Sequence, residues 1–539
     1  MPAVADAIAY GRFALGLRRF LKRQVSLEEA RVLVRQRLAR REEAFLRVVE
    51  KGIFGYPRSP YLPLLRRAGC GMGDLRRMVR VNGVEGTLHA LHDAGVYVTF
   101  EEFKGRAPIV RPGCEIPVRA RDFDNPYLRH YYEARTSGST GAGTRVAIDL
   151  EYILDEIPMK IVSRDAAGIL RAPTALWRSI LPSVTGLKNI LEGPLTGNVP
   201  QKWFTPLRKG DMRLPLTHRV VTDYVLAVGR LFGQPFPRPE VVRLDQAEIV
   251  LRWAERALRA HGTCAIRAFP SVAMRVALAA REKGVDLTGA VLSGGGEPPS
   301  EAKVKAITQT GARWVPNYGT TETGVIAPGC ARPITGNDLH VALDSFAVTQ
   351  REREVPGFRV SVGALYVTTL APPAPKLMLN VELDDCGVLE TRSCGCPLEE
   401  LGYTLHLRDI TSYTKLTGEG VTLINTDVVP ILEEVLPARF GGSPLDYQLL
   451  EEEDERGFTR LSLVVSPRIN LPDERSAIRV VLEALQRGGV PQAFAATFWK
   501  EAGSLRVRRG EPLVSAGGKF LPFCVAQRYA ARAGASPVS

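Results

Sequence analysis

The chain contains no uninterrupted apolar run near the roughly 18 residues that a membrane span requires. Cysteine is scarce, eight in 539 residues, which excludes a disulfide-dense scaffold. The mildly apolar start, Met1 to Ala9, runs directly into Arg12, Arg18, Arg19, Lys22 and Arg23. Charge following the apolar stretch, with no small-residue cleavage site, is the wrong order for a secretory signal. A cytoplasmic protein with reduced thiols is therefore expected. Internal repeats and low-complexity linkers are also missing, so solenoid and fibrous architectures are excluded.

What remains is an ordinary globular balance: 45% hydrophobic, 24% charged, mean hydropathy −0.04. That composition excludes disorder, and the length suffices for roughly three to four domains or subdomains. The net charge is +13 (71 basic against 58 acidic residues). Such an excess raises the local concentration of anions without choosing among nucleotides, coenzymes, nucleic acid and acidic proteins. Part of it lies on Leu15 to Lys51, where Leu33, Val34, Leu38, Phe45, Val48 and Val49 interleave with arginines at helical spacing. This segment reads as a long surface helix with a solvated basic face. No aromatic RNA-binding strand, zinc-finger spacing or basic-zipper heptad supports nucleic-acid binding.

Residues 1–115 read as mostly helical, with glycine-punctuated helices from Asp74 to Val79 and Val84 to Ala94. From about 145 to 345, strand candidates (Trp177–Leu181, Ala265–Phe269, Ala290–Leu292, Trp314–Pro316) alternate with helix candidates (Ser271–Glu282, Ser300–Thr310). That alternation implies a mostly parallel sheet covered by helices. Residues 345–405 are strand-rich. A last α+β portion follows, with strands at Leu461–Val465 and Phe494–Trp499 and helices at Val428–Val435 and Asp473–Arg487. The expected architecture is α/β: a large N-terminal domain, 1–407, and a smaller mobile α+β domain, 412–539.

Three segments carry candidate chemistry. Thr136, Ser137, Gly138, Ser139, Thr140, Gly141, Gly143 and Thr144 concentrate hydroxyls and glycines, a composition that turns backbone amides inward around an anion. The stretch lacks the lysine of a P-loop, the glycine spacing of a dinucleotide turn and the pattern of a hydrolase elbow. Asn317, Tyr318, Gly319, Thr320, Thr321 and Glu322 follow a strand, and a hydroxyl beside a carboxylate there suits a phosphate with its hard cation. Gly294, Gly295, Gly296, Glu297 and Pro298 also follow a strand, and bare backbone there accepts a flat ring. Taken singly, the first is a candidate surface loop and the others ordinary turns leaving strands.

In this order and spacing, the trio resembles the adenylate-forming ligase superfamily. The likeness is to the phenylacetate–CoA ligase type, through "GSTG" with Thr144, "GGEPPSEAK" and "CARPITGNDLHVALDSF". It extends over most of residues 55–539 and thins in the substrate-facing segments. The resemblance implies that Thr136 to Gly141, with Thr144, grip the ATP phosphates, with Gly143 where many relatives have proline. Gly295, Gly296, Glu297 and Pro298 would flank the adenine, with Asn317 and Tyr318 on its other side and Gly319 and Thr320 within the same motif. Thr321 would contact the α-phosphate and Glu322 would ligate Mg²⁺. Asp385 would accept the ribose hydroxyls, with Asp384 as a substitute, and Arg408 or Asp409 would lie at the interdomain hinge. Lys519, glycine-flanked in "SAGGKF", would be the mobile catalytic lysine. ATP, Mg²⁺, a carboxylic acid and coenzyme A are the implied ligands. A carrier-protein thiol or an amine is an alternative acceptor, and an inactive adenylating fold acting as a basic binding protein is an alternative of another class. No nucleic-acid partner is expected, and a homodimer is compatible with the sequence.

Cys330, His340, Cys394 and Cys396 supply four soft or borderline ligands, the number a closed tetrahedral zinc site needs. The competing reading is three unconnected buried thiols. The resemblance implies a structural zinc here, with no open position for chemistry. The other histidines, His406 included, show no ligand spacing and read as structural or surface residues.

Overall fold

The computed structural model describes residues 2–525 except 136–144, 182, 207–215, 297–298, 300, 355–360, 413–414, 419–420, 425–427, 429, 443–445, 454–458, 489 and 513–522. The architecture is α/β, as the alternation of strand and helix signals implies. At its centre is a seven-stranded sheet of β1 (Thr174–Trp177), β2 (Lys202–Thr205), β3 (Pro239–Val241), β4 (Cys264–Arg267), β5 (Ala290–Gly294), β6 (Arg313–Thr320) and β7 (Gly324–Pro328). Its strand order is β7-β6-β5-β4-β1-β2-β3. All neighbours are parallel except β6 and β7, which form an antiparallel hairpin. Successive residues alternate between faces. Ala175, Trp177, Cys264, Ile266 and Leu292 belong to one apolar cluster, whereas Leu176, Ala265 and Val291 face the opposite layer.

A second, antiparallel sheet comprises β8 (Asp338–His340), β9 (Phe346–Glu354), β10 (Ser361–Thr369), β11 (Val381–Thr391) and β12 (Leu405–Ser412), in the order β8-β12-β11-β10-β9. After β12 the chain builds a four-stranded sheet of β13 (Tyr447–Glu453), β14 (Thr459–Val465), β15 (Leu505–Arg509) and β16 (Phe523–Val525). Its buried side chains form one continuous apolar cluster with those of the helix Ala247–His261, and Arg243 reaches Glu501 at 3.3 Å.

The sequence misleads in three places. Residues 494–499 belong to a helix, Val490–Ala502, and not to a strand. Gln492, Ala495, Ala496, Trp499 and Ala502 are buried along it, a 3.6-residue stripe that outweighs the aromatic and β-branched content of "FAATFW". The N-terminal segment is likewise no single surface helix but three: Pro2–Leu21, Leu27–Ala39 and Arg41–Val49. Ser26 starts the second with a reciprocal capping box: its hydroxyl accepts from the Glu29 amide, and Glu29 accepts from the Ser26 amide. Several arginines of this segment reach inward instead of into solvent. Arg31 pairs with Asp165 at 3.1 Å, Arg37 with Asp155 at 2.8 Å and Arg41 with Glu85 at 2.6 Å. The β1 strand also lies earlier than Trp177–Leu181, at Thr174–Trp177. Gly83, at φ +66°, kinks the helix Met72–Asp93 where the glycine punctuation falls. Among the described residues, no helix is long and apolar enough to cross a membrane.

Candidate functional site

The carboxyl edge of a parallel sheet is where α/β folds bind ligands, and the glycine run leaves β5 there. A side chain at Gly294 would meet the Ala268 carbonyl oxygen at 1.7 Å, and one at Gly295 would meet the Asn317 carbonyl oxygen at 1.9 Å. Gly296 has φ +97° and lies against the Phe269 ring. Only glycine permits this close approach. In register, Gly294 of β5 stands opposite Pro316 of β6, so Gly295 and Asn317 sit side by side. Arg178, at the end of β1, donates to the Ala268 carbonyl at 2.8 Å and lies 4.2 Å from the Phe269 ring centroid.

One residue further along β6, the Tyr318 hydroxyl donates to Asp385 Oδ2 at 2.8 Å. Burial above all, then the neighbouring Asp385 charge, raises the Tyr318 phenol well above its usual range and keeps it a donor. This bond ties the seven-stranded sheet to β11. Asp384, next to Asp385, is buried and has φ +64°. Gly295, Gly296, Asn317, Tyr318 and Asp385 are thus brought together from two sheets.

The β6–β7 turn carries Glu322. Thr320 and Thr323 lock the turn: the Thr320 amide donates to Thr323 Oγ1 at 3.1 Å, and the Thr323 amide donates back to Thr320 Oγ1 at 3.2 Å. Gly319 packs against the Gly324 carbonyl, and Thr321 is half-buried. Glu322 is buried and ion-paired with Lys104. Burial opposes its charge, but Lys104 and then Lys376 outweigh that effect and hold its carboxyl below the usual range. Lys376 in turn bridges to Asp124 at 2.5 Å, and Asp124 lies 3.6 Å from Arg145. Arg145 begins the second strand of the hairpin Tyr131–Arg135/Arg145–Asp149. The root of the hydroxyl-rich segment therefore shares a charge network with Glu322. Lys104 and Lys376 carry no motif in the sequence; their role emerges only from tertiary pairing.

Thr136, Ser137, Gly138, Ser139, Thr140, Gly141, Gly143, Thr144, Glu297, Pro298 and Lys519 lie outside the described residues. Arg408 and Asp409 lie in β12. Arg408 donates to Glu390 at 3.1 Å and also pairs with Asp409, whose φ is +55°.

Cys330, His340, Cys394 and Cys396 converge, each offering a ligand atom within 4.8 Å of the others. His340 Nε2 lies 3.1 Å from Cys396 Sγ and 3.7 Å from Cys394 Sγ. Its Nδ1 is 2.6 Å from the Tyr403 carbonyl, which fixes Nδ1 as the protonated nitrogen and leaves the Nε2 lone pair facing the sulfurs. Gly395, at φ +67°, makes the tight turn between two of the cysteines. The Cys330 contact and His340 lower the Cys396 thiol against burial, while Cys330 is raised. Ligand atoms around tetrahedral zinc with bonds of about 2.3 Å stand about 3.8 Å apart, so the donor set and its spacing fit that ion. His406 also belongs to this neighbourhood, grouped with Cys330 and Asp338 and 2.8 Å from Asp338 Oδ1.

No protein-family model matches the chain, and no curated protein does. Among solved structures, 2-hydroxyisobutyryl-CoA ligase in complex with 2-HIB-AMP and CoA matches with TM-score 0.51 at 14% identity, covering 94% of this chain and 91% of that one. The chain has the adenylate-forming ligase fold. Two others are the amide bond synthetase McbA from Marinactinospora thermotolerans (TM-score 0.41, 14% identity, 92% of this chain and 94% of that one) and the anthranilate CoA ligase AuaEII in complex with anthranoyl-AMP (0.35, 11%, 76% and 67%). At these identities the likeness concerns the fold, so chemistry has to be argued from the site.

Proposed function

We propose that the protein activates a carboxylic acid with ATP as an acyl-adenylate and passes the acyl group to the thiol of coenzyme A, as in the phenylacetate–CoA ligase type. The observation that carries this reading is the convergence of Gly295, Gly296, Asn317, Tyr318 and Asp385 at the carboxyl edge of the parallel sheet. Bare backbone on one side and an aromatic ring on the other suit adenine, and Asp385, oriented by Tyr318, suits the ribose hydroxyls. Glu297 and Pro298 extend the adenine segment. Thr136, Ser137, Gly138, Ser139, Thr140, Gly141 and Thr144 bind the β- and γ-phosphates.

In the first half-reaction a substrate carboxylate oxygen attacks the α-phosphorus, and the bond to pyrophosphate breaks. Thr321 holds the α-phosphate, and Lys519 offsets the charge that builds on its oxygens. Lys104 and Lys376 keep Glu322 ionised, the form that a hard cation requires, and a single carboxylate with phosphate oxygens and water is an ordinary Mg²⁺ environment. Bound Mg²⁺ would supply charge neutralisation at the phosphates. In the second half-reaction the thiol attacks the acyl carbon and AMP leaves, after the portion beyond Arg408 and Asp409 has turned and withdrawn Lys519. The net positive charge of the chain favours a polyanionic coenzyme. Cys330, His340, Cys394 and Cys396 hold a structural zinc ion with no free position for catalysis.

A panel of carboxylic acids assayed for pyrophosphate release, with and without coenzyme A, tests this function. At least one acid should give ATP- and acid-dependent release, and coenzyme A should convert that acid to a thioester. A folded protein that releases no pyrophosphate with any acid tested would reject adenylation.

A further inference from the structure

Behind the β6–β7 turn lies a buried set of charges that the reaction scheme does not use. The helix Leu150–Ala166 presents Tyr152, Glu156 and Lys160 at four-residue spacing, hence on one face. The facing helix Val184–Leu195 presents Lys188 and Glu192 at the same spacing. All five side chains are more than nine-tenths buried. Lys160 bridges Glu156 at 3.0 Å and Glu192 at 2.6 Å. Lys188 pairs with Glu156 and stands 4.5 Å from the Tyr152 ring centroid. Arg164 at 2.7 Å and Arg267 at 3.4 Å complete the surroundings of Glu192.

Burying ions is costly, and apolar residues of similar volume often serve stability as well or better. Stability alone is therefore a weak reason for this network, and its contacts suggest another. The Tyr152 hydroxyl donates to the Thr323 carbonyl and lies 3.0 Å from Glu156 Oε1. Glu156 Oε1 also accepts from the Val325 amide at 3.4 Å. Between them, Gly324 has φ +71°, and a side chain there would come within 2.0 Å of both Glu156 Oε1 and the Tyr152 oxygen. The backbone immediately after Glu322 thus rests on these two side chains. The two lysines hold the Glu156 carboxylate in place.

We propose that Tyr152 and Glu156 are positioning residues for the Thr320–Gly324 turn, with Lys188 and Lys160 fixing Glu156, so that the network sets how Thr321 and Glu322 meet the nucleotide phosphates. This inference rests on the adenylating reading above. Its distinguishing feature is that the network touches the phosphate-facing turn, whereas the adenosine-facing residues Gly295, Tyr318 and Asp385 are held by other contacts.

The test is calorimetric titration of the full-length protein and its variants with ATP in Mg²⁺ and, separately, with adenosine, alongside melting temperatures. Tyr152→Phe removes one oxygen and retains the ring. It should weaken ATP binding about tenfold, the value of one well-placed hydrogen bond, while adenosine binding stays within about twofold. Lys188→Met should give the same split, and Lys188→Arg should recover most of the loss by restoring the charge beside Glu156. ATP affinity unchanged in folded Tyr152→Phe, or ATP and adenosine weakened equally in both variants, would overturn the positioning role. A folded wild-type protein that binds neither ligand would instead overturn the adenylating reading, and the inference with it.

Discussion

At Glu322, burial and charge compete directly. Its carboxyl stays ionised because Lys104 and Lys376 stand next to it. Glu322→Gln should reduce acid-dependent pyrophosphate release by about 100-fold, the usual scale for losing one preorganised electrostatic contact in phosphoryl or acyl chemistry. The same substitution leaves Lys104 without its buried counter-charge and should lower the melting temperature. His92 offers a test that is independent of activity. Burial above all, with Arg351 adding to it and Asp93 opposing, lowers its pKa to about 4, and its ring stacks on Tyr97 at 4.4 Å. Between pH 6.5 and pH 4 the unfolded chain binds a proton at this site that the folded chain does not, so folding stability falls as pH drops through that window. His92→Phe should therefore shrink the loss of melting temperature between pH 7 and pH 5 by about 2 °C. An unchanged pH dependence would remove His92 as a source of acid sensitivity. At this scale the motif residues were legible because three glycine- and hydroxyl-rich segments occur in one chain in a particular order and spacing, although each alone reads as an ordinary turn or loop. Lys104, Lys376 and Arg178 were not, because an isolated basic residue looks the same whether it meets water or a partner distant in the chain.

Elements were legible where their periodicity was unopposed. The strand–helix alternation implied the parallel sheet, and Gly83 marked a kink. The failures have specific causes. In "FAATFW" the strand-like aromatics hid a buried helical stripe, and in the N-terminal segment a continuous basic pattern hid the break after Leu21 and the new start capped by Ser26. Ser26→Ala removes the side-chain half of that capping box and should cost about 1 kcal/mol in chemical unfolding. No measurable change would mean that tertiary packing alone sets the start of the second helix. At the β6–β7 turn, Gly324→Ala puts a methyl group where Glu156 and Tyr152 already stand and requires an unfavourable φ. It should destabilise the protein and weaken ATP binding more than Tyr152→Phe does, as titration and melting curves would report.

For the whole molecule, the seven-stranded and the five-stranded sheet are joined by the Tyr318–Asp385 bond and lie beside the Cys330, His340, Cys394 and Cys396 cluster. If that cluster holds zinc, the purified protein should contain about one zinc ion per chain, and a strong chelator should lower its melting temperature by several degrees. Cys396→Ser should abolish metal retention; stoichiometric zinc in that variant, or none in the wild type, would exclude the four-ligand site. The acid substrate of the proposed reaction was not legible at any scale, because acyl pockets are lined from scattered positions with no motif of their own. A crystal structure of the protein grown with saturating ATP shows where the nucleotide sits. The adenine should lie between Gly295–Gly296 and Tyr318, with the ribose hydroxyls on Asp385 and the phosphates towards Thr321 and Glu322. ATP bound in a different cavity, with Gly295, Tyr318 and Asp385 making no contact to it, would rule out a nucleotide site shared by these residues.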